Sequence, residues 1–181
     1  MGEWGMDTRA AQLLAERHLA ESLPLRWQHS QMVAATAAEY AGGIGLDPAP
    51  VVAAAWLHDV GYAPALRDTG FHPVDGARFL RREGWPDQVV DLVAHHSCSR
   101  VEAGLRGLTS ELAEFEDVPG TYRDVLWASD ATTGPDGTRL DVKGRVCEVV
   151  ERYGRGSLVG RCMLAIAPEL EAAVKRVTRT P

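Results

Sequence analysis

Residues 51–62, VVAAAWLHDVGY, decide the fold that this sequence predicts. The apolar run at 51–57 has no polar face, which is typical of a helix that is buried on all sides. The dipeptide Asp47-Pro48 precedes the run as a helix cap and a first-turn proline, and Gly61 closes it. We therefore expect a buried helix from Ala49 to His58.

Helical periodicity continues on both sides of this segment. Apolar residues recur at helical spacing, and the alternating runs of β-branched and aromatic residues that indicate strands are missing. The sequence predicts an all-α, single-domain helical bundle over residues 1–181, with a motif core at about 25–133 and additional C-terminal helices at about 138–178. The other expected helices are 8–22, 27–40, 72–82, 86–96, 121–131, 140–153 and 158–177, with short helices or a loop over 97–119 that could cover a pocket.

Composition narrows the class of protein. A chain of 181 residues with 45% hydrophobic residues can bury a core of its own. The longest apolar run is far shorter than the roughly 20 residues of a membrane span, and residues 1–7 lack the regions of a secretory signal. We therefore expect a cytoplasmic protein without a membrane partner. Its three widely spaced cysteines are expected to be reduced and either buried or half-buried: Cys98, Cys147 and Cys162.

Charge bears on the partners of the chain. The net charge of −6 argues against binding a nucleic acid polymer, because phosphate backbones are bound by clustered basic residues. A small anionic substrate stays compatible, since a local pocket can be positive in an acidic protein. The sequence leaves the oligomeric state open, with a homodimer as one option.

The buried helix ends in two adjacent ionisable groups, His58 and Asp59. Burying an unpaired carboxylate is costly, so Asp59 needs a hydrogen-bonding partner or a cation. A hydrogen-bonded pair of the two side chains would satisfy it, whereas a divalent ion satisfies both groups together. His29 and Asp130 lie near the ends of other expected helices and can converge on the pair. Two imidazoles and two carboxylates suit a hard or borderline cation, namely Mn²⁺, Fe²⁺, Co²⁺, Ni²⁺, Mg²⁺ or Zn²⁺.

The segments that contain these residues resemble the HD superfamily of phosphohydrolases. They are RWQHS at 26–30, LHDVG at 57–61 and ASDA at 128–131, and the resemblance covers roughly residues 25–133. It implies a helical bundle in which a metal ion is held by His29, His58, Asp59 and Asp130.

Two further segments resemble the second-metal positions of dinuclear members of this superfamily. They are FHPVDGA at 71–77 and VAHHS at 93–97. The resemblance implies a second ion held by His72, by His96 or alternatively His95, and by Asp59 as a bridging ligand that takes part in catalysis. The alternative is structural: His72 caps a helix, and the adjacent histidines lie at an exposed helix end, where positive charge suits the helix dipole.

Residues near the motifs are candidates for the chemistry. A bound metal lowers the pKa of its water and offsets charge on phosphoryl oxygens, so we expect water to be the nucleophile. Asp75 is a candidate proton acceptor. Tyr62 stands where many superfamily members carry a lysine, and it is a candidate for orienting the substrate. Phosphate recognition needs basic residues, and the candidates are Arg26, one turn before His29, with Arg67, Arg100 and Arg123.

Three functions agree with these residues. The first is metal-dependent hydrolysis of a phosphate ester or anhydride in a small metabolite, nucleotide or dinucleotide, and the five motif histidines resemble those of bacterial dinucleoside-tetraphosphate hydrolases of the superfamily. The second is a mixed-valence di-iron oxygenase, since some dinuclear superfamily members cleave organophosphonates in this way. The third is a non-catalytic ligand-sensing module that keeps only the fold.

Overall fold

The computed structural model describes residues 7–178, and its ten α-helices confirm the predicted all-α fold. No strand occurs in this range, although one isolated antiparallel bridge joins Thr133 to Arg139. The helices are α1 (Thr8–Leu19), α2 (Pro24–Gly43), α3 (Pro48–Leu57), α4 (His72–Arg82), α5 (Asp87–Ala94), α6 (Ser99–Arg106), α7 (Thr109–Leu112), α8 (Thr121–Ala131), α9 (Val142–Tyr153) and α10 (Leu158–Thr178).

Helix α3 forms the centre of the bundle. It packs against α1, α2, α5 and α8. Its alanines, Ala53, Ala54 and Ala55, are fully buried and let neighbouring helices approach closely, while Val51 and Leu57 fill the remaining space. The side chain of Asp47 caps the helix by accepting a hydrogen bond from the Ala49 amide at 3.1 Å. The central position of α3 explains why its sequence is apolar on every face.

Prolines and glycines set several helix ends as the sequence predicts, whereas the bounds of α1, α2 and α5 differ from the expected ones. The predicted bounds of α4 and α8 agree with the structure. The first helix was expected to run to residue 22, but it ends at Leu19, and Pro24 occupies the first turn of α2, where its missing amide hydrogen costs nothing. Helix α2 therefore begins three residues earlier than expected, and Arg26 lies within its first turn.

Two 3₁₀ turns, Val60–Tyr62 and Pro64–Leu66, connect α3 to α4. The first turn packs directly on the start of α4, and the contact is between backbones. A Cβ atom at Gly61 would lie 2.1 Å from the carbonyl oxygen of His72 and 2.6 Å from the amide nitrogen of Gly76. Because only glycine fits this approach, Gly61 fixes the distance between the segment after α3 and the first residue of α4.

Helices α9 and α10 complete the bundle on one side. Helix α10 packs against α8, α9 and α6, and more weakly against α2. A second group of buried apolar residues holds this contact together, with Trp127 from α8 and Ile166, Leu170 and Ala173 from α10 among its members. The C-terminal helices therefore form a wall beside the carboxyl end of α8.

The remaining expectations concern a secretory signal, membrane-spanning helices and the cysteines. The residues on which the absence of a secretory signal rests lie largely outside the described range 7–178. Within that range, no helix has the length and apolar character needed to cross a bilayer. All three cysteines are free thiols, but Cys147 is exposed, contrary to the expected burial, while Cys98 is half-buried and Cys162 buried.

Candidate metal centre

Six of the motif residues converge at one end of the bundle, and each comes from the end of a helix or just beyond it. His29 lies in the second turn of α2, His58 follows α3, Asp59 precedes the first 3₁₀ turn, His72 begins α4, His96 follows α5, and Asp130 lies in the last turn of α8. Five of them are buried and His72 is nearly so. A buried cluster of four imidazoles and two carboxylates requires an internal arrangement that compensates their charge.

Backbone carbonyls fix the orientation of three of the imidazoles. The Nδ1 atom of His58 lies 2.7 Å from the carbonyl oxygen of Ala55, and that of His96 lies 2.6 Å from the oxygen of Val93. The Nδ1 atom of His29 lies 2.9 Å from the oxygen of Gly134, in the turn after α8. Because a carbonyl only accepts hydrogen bonds, each Nδ1 carries a proton, and the Nε2 atoms of His58 and His96 therefore turn their lone pairs towards the cluster.

His58 provides the observation that tests whether a metal fits. Its Nε2 atom is buried and has no hydrogen-bond partner among the described residues. It faces Oδ2 of Asp59 at 3.6 Å and Oδ1 of Asp130 at 4.0 Å. A lone pair directed at two carboxylate oxygens is unfavourable without an intervening cation, and the ligand atoms of His29, His58 and Asp59 lie within 4.8 Å of one another. The donor set fits a divalent ion.

A second group of potential ligands shares Asp59 with the first. The Nε2 atoms of His72 and His96 lie 3.1 Å apart, and Nε2 of His72 lies 3.6 Å from Oδ1 of Asp59. Burial lowers the pKa of both histidines, and each is lowered further by a neighbouring imidazole. Both are therefore neutral near pH 7, as a metal ligand must be. Asp59 turns one carboxylate oxygen towards each group, which is the geometry of a bridging ligand.

The two carboxylates stay ionised despite their burial. Burial alone would raise the pKa of Asp59, but the guanidinium of Arg26 at 2.8 Å and the nearby histidines hold that pKa well below the usual carboxyl range. Burial would likewise raise the pKa of Asp130, but a hydrogen bond with His29 at 3.0 Å and the positive field of neighbouring groups, Arg145 among them, lower it strongly. Both aspartates are therefore anionic and available to a cation.

Arg26 and Tyr62 form a layer over Asp59. The Arg26 guanidinium lies 4.0 Å from the centre of the Tyr62 ring, and that ring stacks on the His72 imidazole with centroids 3.8 Å apart. Burial raises the pKa of the Tyr62 hydroxyl, so the group keeps its proton and can donate a hydrogen bond. The tyrosine in place of the superfamily lysine is thus part of the site's surface.

The cluster opens into a cavity of about 570 Å³, a volume suited to a small organic ligand. Its polar end contains Arg26, Tyr62 and the His–Asp cluster. Its walls include residues that sequence reasoning missed. The Ser97 hydroxyl donates to Asp130. The other such residues are Cys98, Glu102 and Arg106 from α6 and the residue before it, and Arg145, Val149, Arg152, Val159 and Met163 from α9 and α10. The segment expected to cover a pocket does contribute a wall. The arginines of α9 carry no motif and could not be selected from their spacing.

His95, the alternative to His96, points elsewhere. Its Nε2 atom lies 3.0 Å from the carbonyl oxygen of Phe115, and its ring lines a separate cavity of about 140 Å³. Arg123 lines the same small cavity, where it pairs with Asp117 and lies over the Trp127 ring. The expectations that His95 binds metal and that Arg123 binds substrate are therefore corrected, because neither side chain reaches the main cavity. The alternative of an exposed histidine pair is also wrong, since both histidines are buried.

Three other candidates are also held away from the cluster. Arg100 forms a surface ion pair with Glu169, with 59% of its side chain exposed, and Arg67 is exposed. Asp75 is buried, but its carboxylate accepts hydrogen bonds from the amides of residues 68, 69 and 70 and from the Thr69 hydroxyl. These contacts occupy the lone pairs that a proton acceptor would need. Asp75 therefore organises the loop before α4, and the expectation of a catalytic role is corrected.

Comparisons with known proteins identify the family of the chain. Residues 26–150 match the HD domain family. Ribonuclease Y of Thermus thermophilus is 36% identical over 96 residues, which cover 52% of this chain and 17% of that protein. Ribonuclease Y of Opitutus terrae is 40% identical over 81 residues, covering 44% of this chain and 16% of that protein. The chain thus matches less than a fifth of each relative's length. No solved structure matches it. With its family match and its buried His–Asp cluster, the chain belongs to the HD domain family, a family of metal-dependent phosphohydrolases.

Proposed function

We propose that the chain hydrolyses a phosphate ester or anhydride bond of a small phosphorylated metabolite, nucleotide or dinucleotide, with water as the nucleophile. One observation carries the proposal: four histidine Nε2 atoms and two ionised carboxylates meet at the closed end of a cavity, and the buried Nε2 of His58 has no other partner among the described residues. Nitrogen and oxygen donors in this number suit one or two divalent cations.

The ligands divide between two positions. His29, His58, Asp59 and Asp130 would hold one ion, and His72, His96 and the second oxygen of Asp59 would hold another. The donor set is compatible with Mn²⁺, Fe²⁺, Co²⁺, Ni²⁺, Mg²⁺ or Zn²⁺. Such ions, when bound, lower the pKa of coordinated water and offset charge on phosphoryl oxygens.

The residues around the cluster would orient the reacting group. Arg26 holds Asp59 through its ion pair and keeps that carboxylate in place between the two ligand groups. The protonated hydroxyl of Tyr62 can donate to a phosphoryl oxygen, since it lines the cavity beside His72. The Ser97 hydroxyl donates to Asp130 and fixes the remaining oxygen of that carboxylate. These contacts limit the movement of both carboxylates during the reaction.

Arg145 of α9 is the best candidate for binding substrate phosphate. Its side chain is only 11% exposed and lines the cavity. It shares one counterion, Glu148, with Arg152, so two guanidinium groups face a single carboxylate on this wall. The excess positive charge lines the same cavity as the His–Asp cluster and suits a phosphate group. Apolar residues beside it, Val149 and Met163, would contact the rest of the substrate.

A second candidate substrate is RNA, and the similarity to Ribonuclease Y favours it. The same cluster could hydrolyse a phosphodiester bond if the end of a strand entered the cavity. The net charge of −6 and the small volume of the cavity favour the small phosphorylated substrate.

The test combines metal analysis with turnover. The protein would be purified without added metal or chelator, analysed for bound metals, and assayed with Mn²⁺ or Co²⁺ against nucleotides, dinucleotides, sugar phosphates and a short single-stranded oligoribonucleotide. We expect bound metal and metal-dependent release of phosphate or nucleotide. Asp59→Asn should lose bound metal and turnover together, whereas the exposed Asp87→Asn control should retain both.

Three other outcomes of this test would contradict parts of the proposal. Cleavage of the oligoribonucleotide alone would favour the ribonuclease function over the small substrate. Bound iron with no hydrolysis of any substrate would favour the oxygenase, and absence of bound metal at any concentration would refute both metal-dependent functions. Arg145→Gln should lower kcat/KM by about 10- to 100-fold, the value of a hydrogen bond to a charged group, and Arg100→Gln is its matched surface control.

A further inference from the structure

Two thiols and a carboxylate form a separate cluster where α6 meets α10. Cys98 immediately precedes α6, Glu102 lies in its first turn, and Cys162 lies near the start of α10. One ligand atom of each residue lies within 4.8 Å of the other two. Glu102 and Cys162 are buried, and Cys98 is half-buried at the cavity wall. No part of the proposed hydrolytic mechanism uses these groups.

The contacts within the cluster leave metal-binding atoms available. The sulfur atoms of Cys98 and Cys162 lie within 4.8 Å of each other, close enough for one ion to contact both. Arg106 contacts Glu102 through both Nε and Nη2, each at 2.7 Å, and both contacts fall on Oε1. The other carboxylate oxygen is therefore not required by the ion pair. A ligating carboxylate that is held by a neighbouring hydrogen bond is the usual arrangement around protein metal ions.

When both thiols are ionised, the charges of the cluster sum to zero only if a divalent cation is bound. Glu102 and Arg106 neutralise each other, and two thiolates would carry two negative charges. A buried site tolerates such charges only if they are compensated. One divalent ion brings the total to zero, and its binding releases one proton from each thiol to solvent, so the exchange is balanced without any oxidant.

We propose that Cys98, Glu102 and Cys162 form a binding site for a thiophilic divalent cation of the Zn²⁺ type, distinct from the His–Asp cluster. Sulfur ligands select zinc-like ions, whereas imidazole and carboxylate ligands accept the harder ones, so the two sites differ in metal preference. The bound ion connects the first turn of α6 to α10 and stabilises the wall formed by the C-terminal helices. Because Cys98 and Glu102 line the cavity, a water molecule can complete the coordination.

Co²⁺ provides a direct test, because thiolate ligands give it a strong near-ultraviolet charge-transfer absorption that imidazole and carboxylate ligands do not. The reduced protein would be titrated with Co²⁺ alone, followed by Zn²⁺. We expect the thiolate absorption to appear and then to disappear when zinc displaces cobalt. Cys98→Ser and Cys162→Ser should abolish it, and Glu102→Gln should weaken Co²⁺ binding by about tenfold or more. The exposed Cys147→Ser is the matched control and should behave like the unmodified protein.

The readout is independent of turnover, so it separates this site from the proposed hydrolytic function. A thiolate absorption in a protein that hydrolyses no phosphorylated compound would support the cation site while the hydrolytic function fails. An absorption that persists in Cys98→Ser, or that vanishes in Cys147→Ser, would overturn the assignment.

X-ray absorption at the zinc edge covers the case in which a cysteine variant does not fold. In the unmodified protein saturated with zinc, we expect sulfur scattering at about 2.3 Å from the metal. Scattering from nitrogen and oxygen alone would refute the site. A disulfide between Cys98 and Cys162 in protein purified under reducing conditions would refute it as well.

Discussion

Replacing Gly61 with alanine tests whether a backbone contact sets the geometry of the cluster. The added Cβ would lie 2.1 Å from the His72 carbonyl oxygen, 2.6 Å from the Gly76 amide nitrogen and 2.9 Å from the His72 carbonyl carbon. A carbon and an oxygen normally approach to about 3.3 Å at the closest. The two segments must therefore separate by about 1 Å, because all three obstructing atoms belong to the backbone and none can rotate away.

The cost and the functional effect follow from this displacement. Overpacking in a buried region costs about 1 to 3 kcal/mol, and we expect the upper end of that range, about 3 kcal/mol, because side-chain repacking cannot relieve the clash. The displacement also moves His72 away from Asp59. In the unmodified protein, Nε2 of His72 lies 3.6 Å from Oδ1 of Asp59. The second ligand group should then fail before the first, which does not include His72. A shift of about 1 Å in a reacting geometry can lower turnover by about 100-fold.

Urea denaturation and metal analysis would measure both effects. Gly61→Ala should lower the midpoint of unfolding and reduce the bound metal relative to the unmodified protein. Gly104→Ala is the matched control, because Gly104 is exposed within α6 and its Cβ would meet nothing within 4 Å. That change should stabilise the protein by up to about 1 kcal/mol through helix propensity. A Gly61→Ala protein with unchanged stability and metal content would refute the argument that this contact positions His72.

Three further predictions follow from other contacts. Asp75→Ala removes the acceptor for the loop at 68–70, so denaturation should show a loss of about 1.5 to 3 kcal/mol, and the turnover of the remaining folded protein should be unchanged if Asp75 is not catalytic. Ile166→Ala leaves a cavity between α8 and α10, and we expect about 2 to 5 kcal/mol of destabilisation by the same assay, with a value below about 1 kcal/mol contradicting the packing described. Arg123→Ala loses its contacts with Asp117 and the Trp127 ring, so stability should fall by about 1 kcal/mol, while an altered kcat/KM would show that Arg123 does reach substrate.

The sequence was informative where local chemistry determines structure. The apolar run before His58 predicted the central buried helix, because no other environment suits a helix without a polar face. His72-Pro73 and the segment 121–131 predicted the bounds of α4 and α8 correctly, since proline and helical periodicity act over a few residues. The ordered His and Asp motifs also predicted the HD family correctly.

Tertiary geometry decided what the sequence could not. Adjacent histidines at 95 and 96 are equivalent in any periodicity argument, and only the path of the chain after α5 separates them. His96 rather than His95 faces the cavity, and the chain turns directly after it, where Ser97 adopts a positive φ of 46°. Arg145 was missed for a related reason. It reaches the cavity only because α9 and α10 fold back over the end of α8, a long-range contact that helical spacing does not encode.

The positions of the ligands at helix ends have a physical cause. The last carbonyls of a helix have no partner within it, and a buried carbonyl must find a donor elsewhere. Ala55 in the last turn of α3 and Val93 in the last turn of α5 receive that donor from the Nδ1 atoms of His58 and His96. The same contacts hold both imidazoles in the tautomer whose Nε2 is free to bind a cation. A side chain without a second ring nitrogen can donate to the carbonyl or bind the metal, but not both. Histidine at these helix ends can do both, because Nδ1 donates to the backbone carbonyl while Nε2 is a potential metal ligand.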